Sequence, residues 1–180
     1  MSENLPPQPS ASAGLPEEDF AIRILRDGTW LHQGRPIMRH NLVKLFATVL
    51  RRDENGDFWL QTPAERGRID VEDAPFIAVE LRREASEKGE NLLFRTNVDD
   101  WVTLDAAHGL RLGANLAGQT PVPYIHIRGG LEARLHRSVY YDLAALAQPH
   151  PENADLYGVY SGGVFFALGN VSPAPEDKKE

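Results

Sequence analysis

Apolar residues along this chain fall into two helical stripes set among stretches of strand-like alternation. Leu42, Val43, Leu45, Phe46, Val49 and Leu50 recur at helical spacing and predict an amphipathic helix, with Lys44, Arg51 and Arg52 off its stripe. Asp53-Glu54-Asn55-Gly56 then reads as the helix end, Gly56 supplying a left-handed turn. Val139, Tyr140, Leu143, Ala144 and Ala147 form the second helical face, and Pro149 and Pro151 mark its exit. Elsewhere the pattern is that of strands. Residues 20–26 open the fold as a short strand or helix turn, Asp27-Gly28 is a turn signal, residues 30–33 form a strand and residues 34–36 turn the chain. Strands follow at 58–62 and 68–72, and at 76–82, where Ile77, Val79 and Leu81 alternate with Ala78, Glu80 and Arg82. Residues 85–90 read as a hairpin tip, 92–96 and 101–105 as a meander turning at 97–100, 110–112 as an edge strand and 113–121 as a loop. Residues 124–128 place Ile125 and Ile127 on one face and Tyr124, His126 and Arg128 on the other, before a bend at Gly129-Gly130. A last hairpin joins 156–160 to 164–168 across Ser161-Gly162-Gly163.

This order predicts an α+β fold: two main helices against mostly antiparallel, twisted sheets. Five or six strands before the second helix also suit a small bent barrel closed by a helix, as in pleckstrin-homology-like domains. Within the order lies an internal echo. Residues 29–63 and residues 123–169 each run aromatic, aliphatic, His, then Gly, an amphipathic helix and an aromatic strand. A repeated strand-helix-strand unit predicts two subdomains that pack on each other, and such interfaces are common places for ligands. The expected organisation is a disordered tail over 1–17, an N-terminal subdomain over 18–75, a C-terminal, pleckstrin-homology-like subdomain over 76–170 and a second tail over 171–180.

Composition narrows the chemistry. The absence of cysteine excludes disulfides, thiolate metal sites and cysteine nucleophiles. A net charge of −7 without a Lys/Arg run argues against a nucleic-acid polymer as partner and favours a small ligand or a protein. No apolar run approaches the roughly 20 residues of a membrane helix, and the first residues lack the basic start and apolar middle of a secretory signal. The expectation is a soluble cytoplasmic protein without membrane contact.

Several stretches resemble a known bacterial family. They are DGTWLHQGRPIMRHNLVKLFATVL, LQTPAERGRIDVEDAPF, FRTN, PYIHIRGGLEAR and SGGVFFALG, of which TP-x-E followed by VEDAPF is the most specific. Together they resemble the domain of unknown function 1285 family over roughly residues 20–170. The resemblance implies a two-domain core built from a duplicated motif, with a second domain superficially like pleckstrin-homology folds. It carries no established activity. It implies a small, nucleotide-like ligand held between the domains, in signal transduction.

The candidate site residues come from the two echoed segments. Arg128, Arg134 and Arg137 flank the Gly-Gly bend and the entry to the second helix, where guanidinium forks and helix-start amides suit an anion. Internal pairing with Glu132, or with Glu72 and Asp73, is the alternative. His32 and His126 hold equivalent places in the echo and would line one pocket if paired across it, or else be ordinary strand residues. Thr62-Pro63-Ala64-Glu65 and Glu72-Asp73-Ala74-Pro75 bracket a strand, where carboxylates suit acid/base work or the binding of ribose hydroxyls, or else cap turns; Asp73 before Ala-Pro suits the turn, and both roles stay open for Glu65. Ser161-Gly162-Gly163 lacks the G-x-S-x-G frame, and Asn97, Asp99 and Asp100 lack calcium-loop spacing, so both read as turns. No Walker A, G-x-G-x-x-G or H-E-x-x-H motif occurs. The leading expectation is a non-enzymatic binder of a small anionic or nucleotide-like ligand, held by Arg128, Arg134 and Arg137 with His32, His126, Tyr140, Thr62 and Glu65 nearby. No metal or cofactor is expected. The alternatives are a hydrolytic or acid/base enzyme using His126 or His32 with Glu65, and a protein-interaction module presenting Trp101 or Tyr141.

Overall fold

The computed structural model describes residues 17–113 and 121–170, so the expected tails, apart from Glu17, which begins a strand, and most of the 113–121 loop lie outside the described residues. The N-terminal unit comprises β1 (Glu17–Ile24), β2 (Trp30–His32), β3 (Arg35–Pro36), α1 (His40–Val49), β4 (Leu50–Arg52), β5 (Phe58–Gln61) and β6 (Arg66–Val71). The C-terminal unit continues with β7 (Phe76–Ser86), β8 (Gly89–Thr96), β9 (Trp101–Thr103), β10 (Leu110–Leu112), β11 (Pro123–Arg128) and β12 (Leu131–Leu135). It ends with α2 (Arg137–Ala144), β13 (Gln148–His150), β14 (Asn153–Ser161) and β15 (Val164–Asn170). The fold is α+β, with two helices on mostly antiparallel sheets.

The first sheet has the order β3-β2-β1-β6-β5-β4, and the second β10-β11-β12-β7-β8-β9. Each contains one parallel pair, β1 with β6 and β12 with β7, because the chain crosses through hairpins before returning to the sheet centre. A third sheet, β13-β14-β15, leans on the second. Gly162 N donates to Glu90 O, and the buried Ser161 hydroxyl accepts from Leu92 N at 3.0 Å, which curls the two sheets together. The echo is present as topology: β2-β3-α1-β4-β5 and β11-β12-α2-β13-β14 both run hairpin, helix, hairpin. They differ in where the second hairpin goes. In the N-terminal unit it rejoins the first sheet, and in the C-terminal unit it forms its own with β15.

Four local expectations change. The segment at Asp53-Glu54-Asn55-Gly56 does not end a helix. The chain is extended by Leu50, and this segment is the tip of the β4–β5 hairpin. Gly56 does take a positive φ, of 89°, but the turn is pinned by the Asp53 carboxylate, which accepts from Asn55 N, Asp57 N and Trp59 Nε1. Residues 34–36 are part turn, part strand: Gln33 and Gly34 both have positive φ, as a two-residue hairpin turn requires, and β3 follows. Residues 131–135 form a strand that the Gly-Gly bend concealed, with Leu131, Ala133 and Leu135 alternating inward against Glu132 and Arg134. Finally, α1 buries Val43 and Ala47 but leaves Leu42 and Leu45 exposed, at 36% and 59%. A stripe of six apolar residues is wider than the surface the sheet offers.

β7, mid-sheet between β12 and β8, is buried on both faces at its start. Phe76 and Ala78 are fully buried in the core shared with Leu131, Ala133, Leu135 and Leu143. Ile77 points instead at the turn before β2, so closely that a Cβ on Gly28 would lie 2.9 Å from its side chain. β1 is interrupted by a bulge between Asp19 and Arg23, where Ala21 has φ of 50° and its amide is held by Asp19 Oδ1 at 2.7 Å. The bulge lays the Phe20 ring flat on Gly67 of β6, leaving no room there for a side chain. A Gly67→Ala substitution must therefore push Phe20 aside, and it is expected to cost about 1–3 kcal/mol, as overpacking does. Urea unfolding measures this directly, and an unshifted midpoint would mean that the ring moves away without loss.

Candidate functional site

The two units are joined by charged side chains that reach from strands of one to backbone of the other. Arg128, at the end of β11, donates to Ala47 O of α1 at 2.7 Å and pairs with Asp100 Oδ2 at 3.3 Å, its guanidinium over the Phe76 ring. At the start of α1, His40 Nε2 and Lys44 Nζ each lie 3.2 Å from Asp99 Oδ2, while Arg95 Nη1 reaches Asp99 Oδ1 at 3.0 Å. Bonds from His40 and Lys44 hold the Asp99 carboxyl down at about 2, below its ordinary 3.8. Arg134 of β12 donates to Arg26 O at 2.9 Å, and its Nε faces Asp73 Oδ2 at 3.4 Å without forming a hydrogen bond. Asp73 accepts from Tyr124 Oη at 2.8 Å and has Arg26 Nε 3.6 Å away. Burial first, and the Asp73 contact second, push the Tyr124 hydroxyl above its ordinary value.

Asp73, read from sequence as a turn former, is thus a junction residue. The reason is positional: it stands between β6 and β7, where the chain passes from one unit to the next, and faces cations from both. The pairing alternative holds for Arg134, whose partner is Asp73. Glu132 is taken by Arg111, through bonds of 2.8 and 2.6 Å, and Glu72 by Arg23 at 2.8 Å.

Three of the cavities around this frame bear on the expected site, and the eight residues do not converge: six divide between two of these cavities, and Arg128 and His126 line none. The cleft between the units, of about 490 Å³, is lined by Arg52 and Phe58 on one side, Arg111, Gly130 and Glu132 on the other, and the connector from Asp73 to Pro75. None of the eight lines it. Its cations are engaged: Arg111 with Glu132, and Arg52 with Gly130 O at 3.2 Å and the Phe58 ring. A second cavity, of about 350 Å³, opens at the start of α2 and brings together Arg134, Arg137 and Tyr140. Tyr141 and the segment Pro121-Val122-Pro123 complete it, with no carboxylate in its lining. Arg137 donates to Tyr141 Oη at 2.9 Å and has no acidic partner among the described residues. The α2 N-cap is His136, whose Nδ1 accepts from Ser138 N.

The third cavity, about 480 Å³, lies between α1 and the first sheet and brings together His32, Thr62 and Glu65. The Thr62 hydroxyl is spent on its own turn, accepting from Ala64 N and Glu65 N at 3.3 and 3.1 Å. Arg128 lines none of the three. His126 is also apart from His32: its Nδ1 donates to Ala107 O at 2.8 Å and its Nε2 accepts from Gly130 N at 3.2 Å, which fixes the ring as a strut of the β11–β12 turn. Sequence reasoning missed Arg52, Arg111 and Asp73 as junction residues. Their partners stand 21 to 78 positions away, and only the Tyr-x-His-x-Arg alternation of β11 hinted that this strand carries polar contacts. Among the described residues no three His, Asp or Glu side chains are placed to hold a metal ion, and no helix is long and apolar enough to cross a membrane.

Two family models meet end to end on the chain. Residues 15–74 match the N-terminal domain, and residues 75–168 the C-terminal domain, of the protein family of unknown function DUF1285. The chain belongs to the DUF1285 family. A crystal structure of a DUF1285 family protein from Silicibacter pomeroyi DSS-3 superposes with a TM-score of 0.80 at 36% identity, over 94% of this chain and 91% of that one. A second, from Shewanella baltica OS155, gives a TM-score of 0.55 at 25% identity, over 69% of this chain and 90% of that one. No curated protein matches the chain.

In this DUF1285 chain the Asp99 contacts tie α1 to the β8–β9 turn, and they make that tie sensitive to acid. A carboxyl held low stabilises the fold above its ordinary 3.8, and that contribution is lost as pH falls through about 2. Asp99→Asn is a suitable probe, because asparagine tolerates the φ of 67° found there. The difference in Tm between the natural protein and the variant is expected to be constant above pH 3.8 and to shrink towards pH 2. A difference that ignores pH over that window would show that charge is not what holds α1.

Proposed function

We propose that this protein binds a small anionic, nucleotide-like ligand in the cavity where Arg134 and Arg137 meet Tyr140 and Tyr141, beside the junction of the two units. The observation that carries this reading is the state of Arg137: a guanidinium on a cavity wall, without an acidic partner, in a lining that has no carboxylate. Such a fork binds phosphate or carboxylate through parallel N–H bonds. Tyr140 and Tyr141 offer aromatic faces, their ring centroids 6.1 Å apart, and Pro121 and Pro123 offer flat apolar walls. A cavity of about 350 Å³ is in the range of small-molecule sites. The cleft between the units suits an anion less well, since two carboxylates, Asp73 and Glu132, line it, Arg111 is paired with Glu132, and Arg52 is held by the Gly130 carbonyl and the Phe58 ring.

On this reading the protein is a binder rather than a catalyst. Acid/base work through His126 has little support, because both ring nitrogens are already bonded. A part in signal transduction and a pleckstrin-homology-like use of the C-terminal unit belong to the same proposal. A ligand seated on Arg134 would touch the residue that holds the Arg26 carbonyl, and so the docking of one unit on the other.

Thermal-shift titration with nucleoside monophosphates, cyclic nucleotides and inorganic phosphate tests the reading, since a ligand of the folded state raises Tm by mass action. The expected outcome is a dose-dependent rise for one nucleotide class, with apparent affinity falling about tenfold or more in Arg137→Ala. Arg52→Ala, in the cleft, should leave it unchanged. A flat titration, or a loss that follows Arg52 and not Arg137, would overturn the assignment.

A further inference from the structure

The cavity between α1 and the first sheet differs in chemistry from the one at α2. Its walls are hydrocarbon: Phe20, Ile22 and Leu60 from the sheet, and Leu42, Phe46 and Val49 from the helix. Ile37 closes the wall ahead of α1. Polar groups stand only at His32, Thr62 and Glu65. Of these, the Thr62 hydroxyl already serves its turn. The His32 ring and the Glu65 carboxylate have no hydrogen-bond or ion-pair partner among the described residues. Leu42 is 36% exposed although it belongs to the apolar stripe of its helix, because it borders this opening rather than the packed sheet. Behind the wall, Trp30 is 2% exposed and stacks on Phe46 with centroids 6.3 Å apart.

We infer that this cavity is a second ligand site, for an amphiphile with an apolar chain and an ammonium head. The chain would lie between Phe20, Leu42 and Phe46, where burying each methylene contributes about 0.8 kcal/mol. The head is chosen by charge. The lining holds one carboxylate and no Lys or Arg. The nearest basic neighbours are otherwise placed: Arg66 is bonded to Glu17 and lies near Asp53, and Arg35 stands opposite His32 in the β2–β3 hairpin without reaching the lining. An ammonium brings donors only, and the Glu65 carboxylate is an acceptor without a partner among the described residues. A fatty-acid carboxylate would instead meet Glu65 with like charge. The site is independent of the α2 cavity: no residue lines both.

Isothermal titration calorimetry of the full chain, below the micelle concentration of each probe, tests this with decylammonium, decanol and decanoate. Decylammonium is expected to bind at one site, more tightly than decanol, and decanoate the least. Glu65→Gln, on an exposed turn, should weaken decylammonium about tenfold while leaving decanol unchanged. Leu42→Arg, on the half-exposed rim, should abolish binding of both, with the fold checked by circular dichroism. Arg137→Ala should change neither, which separates this site from the proposed anion site. Failure of decylammonium to bind, equal binding of decanoate, or binding that survives both Glu65→Gln and Leu42→Arg would overturn the inference.

Discussion

The relation of the two units depends on one carboxylate at the point where the chain passes between them. Asp73 is largely sheltered, at 19% side-chain exposure, and a sheltered carboxylate is costly unless cations and donors surround it. It has all of these: the Tyr124 hydroxyl, Arg134 from β12 and Arg26 from the β1–β2 turn of the N-terminal unit. Because these groups come from both units, the charge is compensated only when the units are docked. Arg134 makes the dependence reciprocal. Its Nη2 donates to Arg26 O and its Nε faces Asp73, so separating the units would leave two partly desolvated groups unpaired at once. Removing one partner of such a pair costs more than the pair itself contributes.

α1 is placed by the same logic at its two ends. Its first turn carries no acidic residue and no side-chain cap, so it lacks the usual local stabilisation of a helix start. What holds it is the other unit. Asp99 gathers His40 and Lys44 at the beginning, and Arg128 takes the Ala47 carbonyl near the end. Exposed ion pairs are individually weak, so Asp99 matters as a hub that gathers His40, Lys44 and Arg95 rather than as any single bridge. With the ends tethered, the middle of the helix does not need to close fully on its own sheet. Val43 and Ala47 make the packing contact, and Leu42 and Leu45 are left at the margins.

Legibility of the sequence followed the range of the interactions. Period-two alternation found most strands, since β8 and β11 bury alternate residues for reasons local to each strand. The helix stripes located α1 and α2 but overstated their contacts, because hydrophobicity marks what could be buried and not which neighbour is there to cover it. At Asp53-Glu54-Asn55-Gly56 the same turn chemistry serves a helix end or a hairpin, and the difference lay in Leu50, which is fully buried in an extended strand. β12 was hidden behind the Gly129-Gly130 bend, since its alternation of Leu131, Ala133 and Leu135 with Glu132 and Arg134 is short and leads directly into α2; its two polar residues meet Arg111 and Asp73 across the fold. The candidate arginines were found as residue types, but their separation was not legible. Arg128 and Arg134 lie toward opposite ends of the β11–β12 hairpin, and their acceptors, Ala47 O and Arg26 O, are 81 and 108 positions away.

That separation limits how an anion could use the α2 cavity. Arg134 is already committed on two edges, through Nη2 to a carbonyl and through Nε toward Asp73, so it could meet a ligand only end-on, through Nη1. Arg137 lies over the Tyr141 ring and spends only Nε on a hydrogen bond, to the Tyr141 hydroxyl, so its two terminal nitrogens stay available for a bidentate grip. The division of labour follows from this geometry: Arg137 would supply orientation, and Arg134 would supply charge without releasing the junction. An anion held in this way adds negative charge beside a guanidinium that Asp73 alone neutralises. Docking of the units and occupancy of the cavity would then favour each other, since both keep Arg134 where it is, and by linkage whatever strengthens one strengthens the other.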